Sequence, residues 1–311
     1  MLRHSPGSGL LRTVYNLLLS CVSVLPLLMT IPACTGPTEN GTEQAQGQGR
    51  EGDGPAADST DFIIELSVDP EVEEKWQAAI GRTDIFIYGG SGTRQLEKHL
   101  RTSGTGRLTV RCRSGDRITA AIANSRAGFN MAALQKYDSM ELLRYGAEDD
   151  DPARPLMSAV TETAGDSVRL VLKPLGCRII LAEIINELGG YVRLEEPRIG
   201  LFDRSPSAEV FRTDGFRPVE IPDDTAWVKL PYDVGVLPQT PGTELWCYPN
   251  DTPEETMGTP RTGIVLECVI EGRRERFRGR LPPLARGSTT GVGITVSRNA
   301  GGAPGCSYRF F

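Results

Sequence analysis

Histidine is nearly absent from this chain: the 311 residues hold two, His4 and His99. Any Ser–His or Cys–His couple in the body has to use His99, which sits in the polar stretch Gln95-Leu96-Glu97-Lys98-His99-Leu100 and reads as a solvated surface histidine. A Gly-x-Ser-x-Gly elbow is missing, because Gly89-Gly90-Ser91-Gly92 runs into Thr93. No Gly-Lys-Ser/Thr phosphate loop and no Cys-x-x-Cys pair occurs. One body histidine and dispersed cysteines exclude an ordinary zinc site. These absences point away from an enzyme and from a bound cofactor. The chain also lacks a basic excess, with a net charge of −6, which argues against nucleic acid as a partner.

No unbroken apolar run reaches the roughly 20 residues of a membrane-spanning helix. The longest candidate, Leu17 to Ile31, is interrupted by Ser20, Ser23 and Pro26. It follows Arg3, His4 and Arg12 and ends in Ile31-Pro32-Ala33-Cys34. A basic start, an apolar centre and small residues before a cysteine form a secretory signal, assigned to residues 1–33. The tetrapeptide resembles a lipobox, which makes Cys34 the lipidation site; an ordinary signal with Cys34 left as a thiol is the alternative. Thr35 to Thr60 then contains no Val, Ile, Leu, Met or aromatic residue. Such a segment buries too little to offset its ordering entropy, so 34–60 reads as a lipidated tether with a reach of about 28 Å.

The remainder reads as short strands. Phe62, Ile64, Leu66 and Val68 alternate with polar residues, the period of a half-buried strand. Similar signals recur at 84–88, 107–112, 117–123, 168–173 and 177–185, and again through 191–202, 226–231, 243–248, 263–281 and 291–297. Residues 71–80 suit a helical turn or two. Residues 130–145 carry Met131, Leu134, Leu142 and Leu143 at helical spacing and are the best helix. The expected fold is mainly β, with antiparallel sandwich domains over 61–174 and 175–311. In the clearest hairpin, a turn at Glu271-Gly272 sets Leu266 opposite Phe277 and Glu267 opposite Arg276. The returning strand carries Arg274, Arg276, Arg278 and Arg280 on one face. They form either an interaction patch for an anionic partner or a charged face that blocks sheet aggregation. The run Glu148-Asp149-Asp150-Asp151 lacks the ligand pattern of a calcium loop and reads as solvated. Cys112, Cys177, Cys247, Cys268 and Cys306 read mainly as small buried hydrophobes, with one unassigned disulfide left open.

The most specific text is Thr243-Glu244-Leu245-Trp246-Cys247-Tyr248-Pro249-Asn250, followed by Glu254-Glu255, Pro260 and the Gly-turned hairpin. Ile118 to Asn124, then Pro155-Leu156-Met157-Ser158, then Val168 to Lys173 and Arg178-Ile179-Ile180, keep a consistent order with it. Together these resemble the Bacteroidales fimbrillin superfamily, in its minor or anchoring-subunit branch. The returning strand departs from that pattern, having arginines and the single Phe277 where tyrosines are common.

The resemblance implies two tandem transthyretin-like β-sandwiches, export as an outer-membrane lipoprotein on the cell surface, and a role as fimbrial anchor or accessory subunit. Its partners would be other fimbrial subunits, joined when a strand of one fills a groove of the next, and the membrane through lipid on Cys34. Stalk subunits of that family are cut by an arginine-specific protease after their first strand, whereas anchors stay uncut. Arg50 and Arg82 are the corresponding candidates for processing. The alternative is a surface lipoprotein unrelated to fimbriae that binds glycan or protein, with Trp76, Trp227 and Trp246 as a sugar platform.

Overall fold

The computed structural model describes residues 59–311 apart from 91, 93, 219 and 254–257. The signal, Cys34, Arg50 and nearly all of the tether lie outside the described residues. Strands dominate. Up to residue 174 they are β1 (Ser59–Val68), β2 (Arg82–Gly89), β3 (Leu96–Ser103), β4 (Gly106–Arg113), β5 (Arg117–Ala123), β6 (Arg144–Gly146), β7 (Met157–Thr163) and β8 (Ser167–Pro174). Beyond it follow β9 (Cys177–Glu187), β10 (Glu195–Phe202), β11 (Ser207–Glu209), β12 (Ala226–Lys229), β13 (Thr243–Cys247), β14 (Gly263–Ile270), β15 (Arg273–Arg280), β16 (Thr289–Arg298) and β17 (Pro304–Phe310). The helices are α1 (Glu74–Gln77) and α2 (Tyr137–Glu141), with a 3-10 turn at Ala133–Gln135. The long helix expected at 130–145 is thus a single short helix flanked by tighter and extended backbone. Leu134 and Met140 are buried while Leu142 is 75% exposed, so the apolar residues do not share one helical face.

The first sheet has the order β3-β2-β5-β7-β8-β1-β4. Its β7–β8 link is only Met157 opposite Pro174 and Ser158 opposite Lys173, so the sheet turns a corner there. Phe62, Ile64 and Leu66 of β1 and Leu170 and Leu172 of β8 pack with Ile85 and Ile87 of β2 and Ala121 of β5. That is one sandwich core. The second core lies between two four-stranded sheets, β12-β10-β14-β15 and β13-β9-β16-β17. Ile179, Leu181, Val292 and Ile294 meet Ile199, Leu201, Ile264 and Leu266 there. Most neighbours are antiparallel, but β1–β8 and β9–β16 are parallel.

A third cluster covers the opposite face of β2 and β5. Phe86 and Tyr88 of β2 and Ile118 and Ile122 of β5 lie under Tyr137 and Met140 of α2, and under Val210, Phe211, Phe216 and Tyr248. Both faces of β2 are therefore buried, which explains its unbroken apolar run Ile85-Phe86-Ile87-Tyr88. Arg286 fastens the same region. Its guanidinium donates to the backbone oxygens of Ser158, Lys173, Pro174, Val210 and Arg212 and to Ser158 Oγ at 2.6 Å. Burial among carbonyls lowers its pKa to about 10. The acidic run also has a tying role and is not merely solvated. Asp150 accepts from the backbone N–H of Asp151 and Leu156 and from the Tyr248 hydroxyl.

Candidate assembly elements and the arginine face

The first strand is internal to its sheet. β1 pairs antiparallel with β4, Phe62 opposite Val110 and Ile64 opposite Leu108. On its other side it runs parallel to β8, with Ile64 level with Val168 and Leu66 with Leu170. Its alternation puts Phe62, Ile64 and Leu66 into the core at 4% exposure or less. Each such side chain is worth roughly 1.5–3 kcal/mol of burial. The last two residues of the proposed tether, Ser59 and Thr60, already belong to β1.

Arg82 opens β2 and is held on several sides. It pairs with Ser103 of β3, and its carbonyl accepts from the Asn124 N–H at 3.0 Å. Its Nε lies 2.8 Å from the Asp84 carboxylate, and its Nη2 donates to Ser125 O. Asp84 is fully buried. His99 Nε2 lies 2.9 Å from it and Arg101 Nε donates to it at 2.8 Å. Burial raises the Asp84 pKa, but hydrogen bonds from His99 and Arg101 and the charges of Arg82 and Arg101 outweigh it, so the carboxyl titrates below its usual range. His99 is thus not a solvated surface residue. It lies on β3, half-buried and stacked on Phe86 with ring centroids 4.6 Å apart. The Leu96–Ser103 segment reads as polar because β3 is the outer strand of its sheet.

The hairpin has the expected register: Ile270 faces Arg273, Leu266 faces Phe277 and Glu267 faces Arg276. Glu271 and Gly272 take φ of 50° and 77°, the left-handed pair of a two-residue hairpin turn. The alternating arginines of β15, Arg274, Arg276, Arg278 and Arg280, are exposed on one face, and each has a partner. Glu267 is only 1% exposed and receives Arg198 at 2.6 Å, Arg274 at 2.7 Å and Arg276 at 2.6 Å. Burial would raise its pKa, and hydrogen bonds from Arg274, Arg276 and Arg198 carry it down to about 2. Arg198 and Arg276 lie over the Trp227 ring at 4.3 and 5.6 Å. Arg278 and Arg280 lie over Phe202 at 5.0 and 4.9 Å. Arg280 also donates to Asp203. Sequence reasoning found the arginine repeat and the Glu267–Arg276 pair. It did not bring Arg198, Trp227 or Phe202 to this face, because they arrive from β10 and β12, across the sheet.

The other tryptophans are packed. Trp76 of α1 is 5% exposed and lies 5.1 Å from Trp246 of β13, under the Arg178 guanidinium at 5.2 Å. Trp76 offers no open face to a sugar, and Trp246 is partly covered by it. The five cysteines are free thiols, four of them buried. Burial pushes the Cys177 thiol up to about 12, so it is not a ready nucleophile. β17 closes its sheet at the outer edge, pairing with β16 from Val292 opposite Phe310 to Arg298 opposite Pro304. The final residue, Phe311, exchanges both backbone hydrogen bonds with Gly291.

No protein-family model and no curated protein sequence matches the chain. Solved structures do match it in fold. A candidate cell adhesion protein of Bacteroides eggerthii superposes with a TM-score of 0.57 at 14% identity, over 84% of this chain and 97% of the other. A fimbrilin of Porphyromonas gingivalis gives 0.54 at 10% identity, over 81% and 96%. A candidate cell adhesion protein of Parabacteroides distasonis gives 0.54 at 11% identity, over 80% and 95%. The chain therefore has the mainly β fold of the fimbrillin-like proteins of the Bacteroidales.

Proposed function

We propose that this chain is an outer-membrane lipoprotein that serves as an anchor or accessory subunit of a fimbria at the cell surface. It has no turnover chemistry and no cofactor in this reading. Lipid on Cys34 holds it to the membrane, the tether to residue 60 gives it reach, and two sandwich modules, 61–174 and 175–311, form the body. Neighbouring subunits join it by strand addition.

The observation that carries this reading is the position of β1. The strand that directly follows the tether is the one seated between β8 and β4 with three apolar side chains in the core. A body whose membrane attachment runs through an internal strand transmits load along hydrogen-bonded neighbours rather than peeling an outer strand. Arg82 stays uncut in this reading, because cleavage there would separate β1 and Cys34 from the rest of the chain. The fold shared with a fimbrilin adds support. The arginines of β15 serve as a self-neutralised outer face that discourages sheet-to-sheet pairing. The contact of Trp76 with Trp246 and the arginines over Trp227 favour this reading over a glycan platform.

Palmitate labelling of cells expressing the full chain tests the anchor step. Label should enter the wild type and be absent from Cys34→Ala, which should leave the membrane fraction. Undiminished label or membrane attachment in Cys34→Ala would sink this assignment.

A further inference from the structure

A cleft of about 160 Å³ lies beside the start of β2, lined by Arg82, Asn124, Ser125, Arg126, Asp151 and Arg154. Three chain segments meet there, and Asn124 locks them together. Its Oδ1 accepts from the Gly81 N–H at 3.0 Å and its Nδ2 donates to Pro155 O at 3.1 Å. Asn124 sits in the left-handed region at φ 62°, a conformation asparagine tolerates well. Its neighbour Ser125 bonds both Ala127 O and the Tyr145 hydroxyl. The frame is therefore built before anything binds.

The charge in the cleft is unbalanced. Arg82, Arg126 and Arg154 supply three guanidinium groups. Asp151 is the one carboxylate on the lining; it binds Arg126 at 2.6 Å and accepts from the Ala153 N–H. Asp84, behind Arg82, pairs with Arg82 Nε at 2.8 Å and is shared with Arg101 and His99, which leaves outer N–H groups of Arg82 for a ligand. Asp150 is turned to Leu156, Asp151 and Tyr248. Arg154 Nε donates a long bond to Ala79 O at 3.4 Å, and its charge also acts on the Asp151 carboxylate. Among the described residues this leaves a net cationic cleft with donor capacity unused.

We propose that this cleft binds one tetrahedral oxyanion, the sulfate or phosphate group of an ester. Arginine forks match such oxygens in geometry as well as charge. A carboxylate offers two oxygens, which two arginines satisfy, whereas three guanidiniums from three segments suit three terminal oxygens. The volume falls below the roughly 300 Å³ at which pockets begin to enclose a drug-sized ligand. The cleft takes the anionic head while the sugar or lipid that carries it stays outside. This inference is independent of the fimbrial reading.

Calorimetric titration of the purified full-length protein tests it, at constant ionic strength with chloride as the balance. Inorganic sulfate and phosphate should bind saturably with a Kd on the order of 1 mM. Arg154→Gln and, separately, Arg126→Gln should each weaken binding at least about tenfold, as expected for loss of a charge-assisted hydrogen bond. Arg309→Gln, which removes an ion pair with Glu183 outside the cleft, should leave binding unchanged. Galactose 6-sulfate and vesicles of phosphatidic acid then identify the carrier, and binding of either supports the ester. No saturable heat with the free anions, equal affinity in Arg154→Gln and Arg126→Gln, or binding of neither ester would overturn the proposal.

Discussion

Glu267 shows how a single side chain organises a surface. Its carboxylate is buried beneath Arg198, Arg274 and Arg276, and Trp227 lies under two of those guanidiniums. Removing the acid leaves three close cations with no common counter-ion, so Glu267→Ala should cost about 3 kcal/mol in denaturant unfolding. Arg278→Gln, which gives up a contact with Phe202, should cost less than about 1 kcal/mol. Equal losses in the two variants would refute the central place of Glu267. The pH dependence has a definite sign. The folded-state pKa is held down to about 2 against an ordinary 4.5, so the stabilisation is full above about pH 4.5 and is lost as pH falls towards 2. The gap between wild type and Glu267→Ala should close over that range. Asp84, also held below its usual range, acts in the same direction.

At the scale of elements, β1 and β2 decide how the chain can be processed. A protease needs several residues in extended, unpaired form. Arg82 is paired with Ser103, and its carbonyl is taken by Asn124. With a local opening cost of roughly 3 kcal/mol, cleavage at Arg82 should trail cleavage at Arg50, which lies in the segment proposed as the tether, by about 100-fold. Mass spectrometry of a time course with an arginine-specific protease checks this, and simultaneous cleavage at both sites would contradict it. The same elements explain what the sequence made legible. β1, β5, β8 and the β14–β15 hairpin carry alternation, a long apolar run or a two-residue turn, and these local signals are strong. β3 was hidden because an outer strand buries little of itself. β17, with its Gly-Cys-Ser-Tyr-Arg sequence, carries weak local signals and is held by pairing with β16. The 130–145 helix failed because its apolar residues serve different partners. The cleft at Arg82, Arg126 and Arg154 had no linear signal, since its arginines come together only when three segments meet.

At the scale of the molecule, several contacts cross between the regions before and after residue 174. Arg286 gathers carbonyls from Ser158, Lys173, Pro174, Val210 and Arg212. Trp76 packs on Trp246, and Arg178 pairs with Glu73. The acidic loop joins them through Asp150 and Tyr248. The described residues accordingly belong to one compact unit, a build that suits the load-bearing role proposed above. Whether the chain plays that role is tested most directly by extracting membranes with detergent from fimbriated cells that express an affinity-tagged form of the full chain, and then purifying by the tag. The account predicts that fimbrial subunits come with it in complexes that survive detergent and separate on heating, as inserted strands do. Recovery of the chain alone, while the same cells retain assembled fimbriae lacking it, would contradict the account.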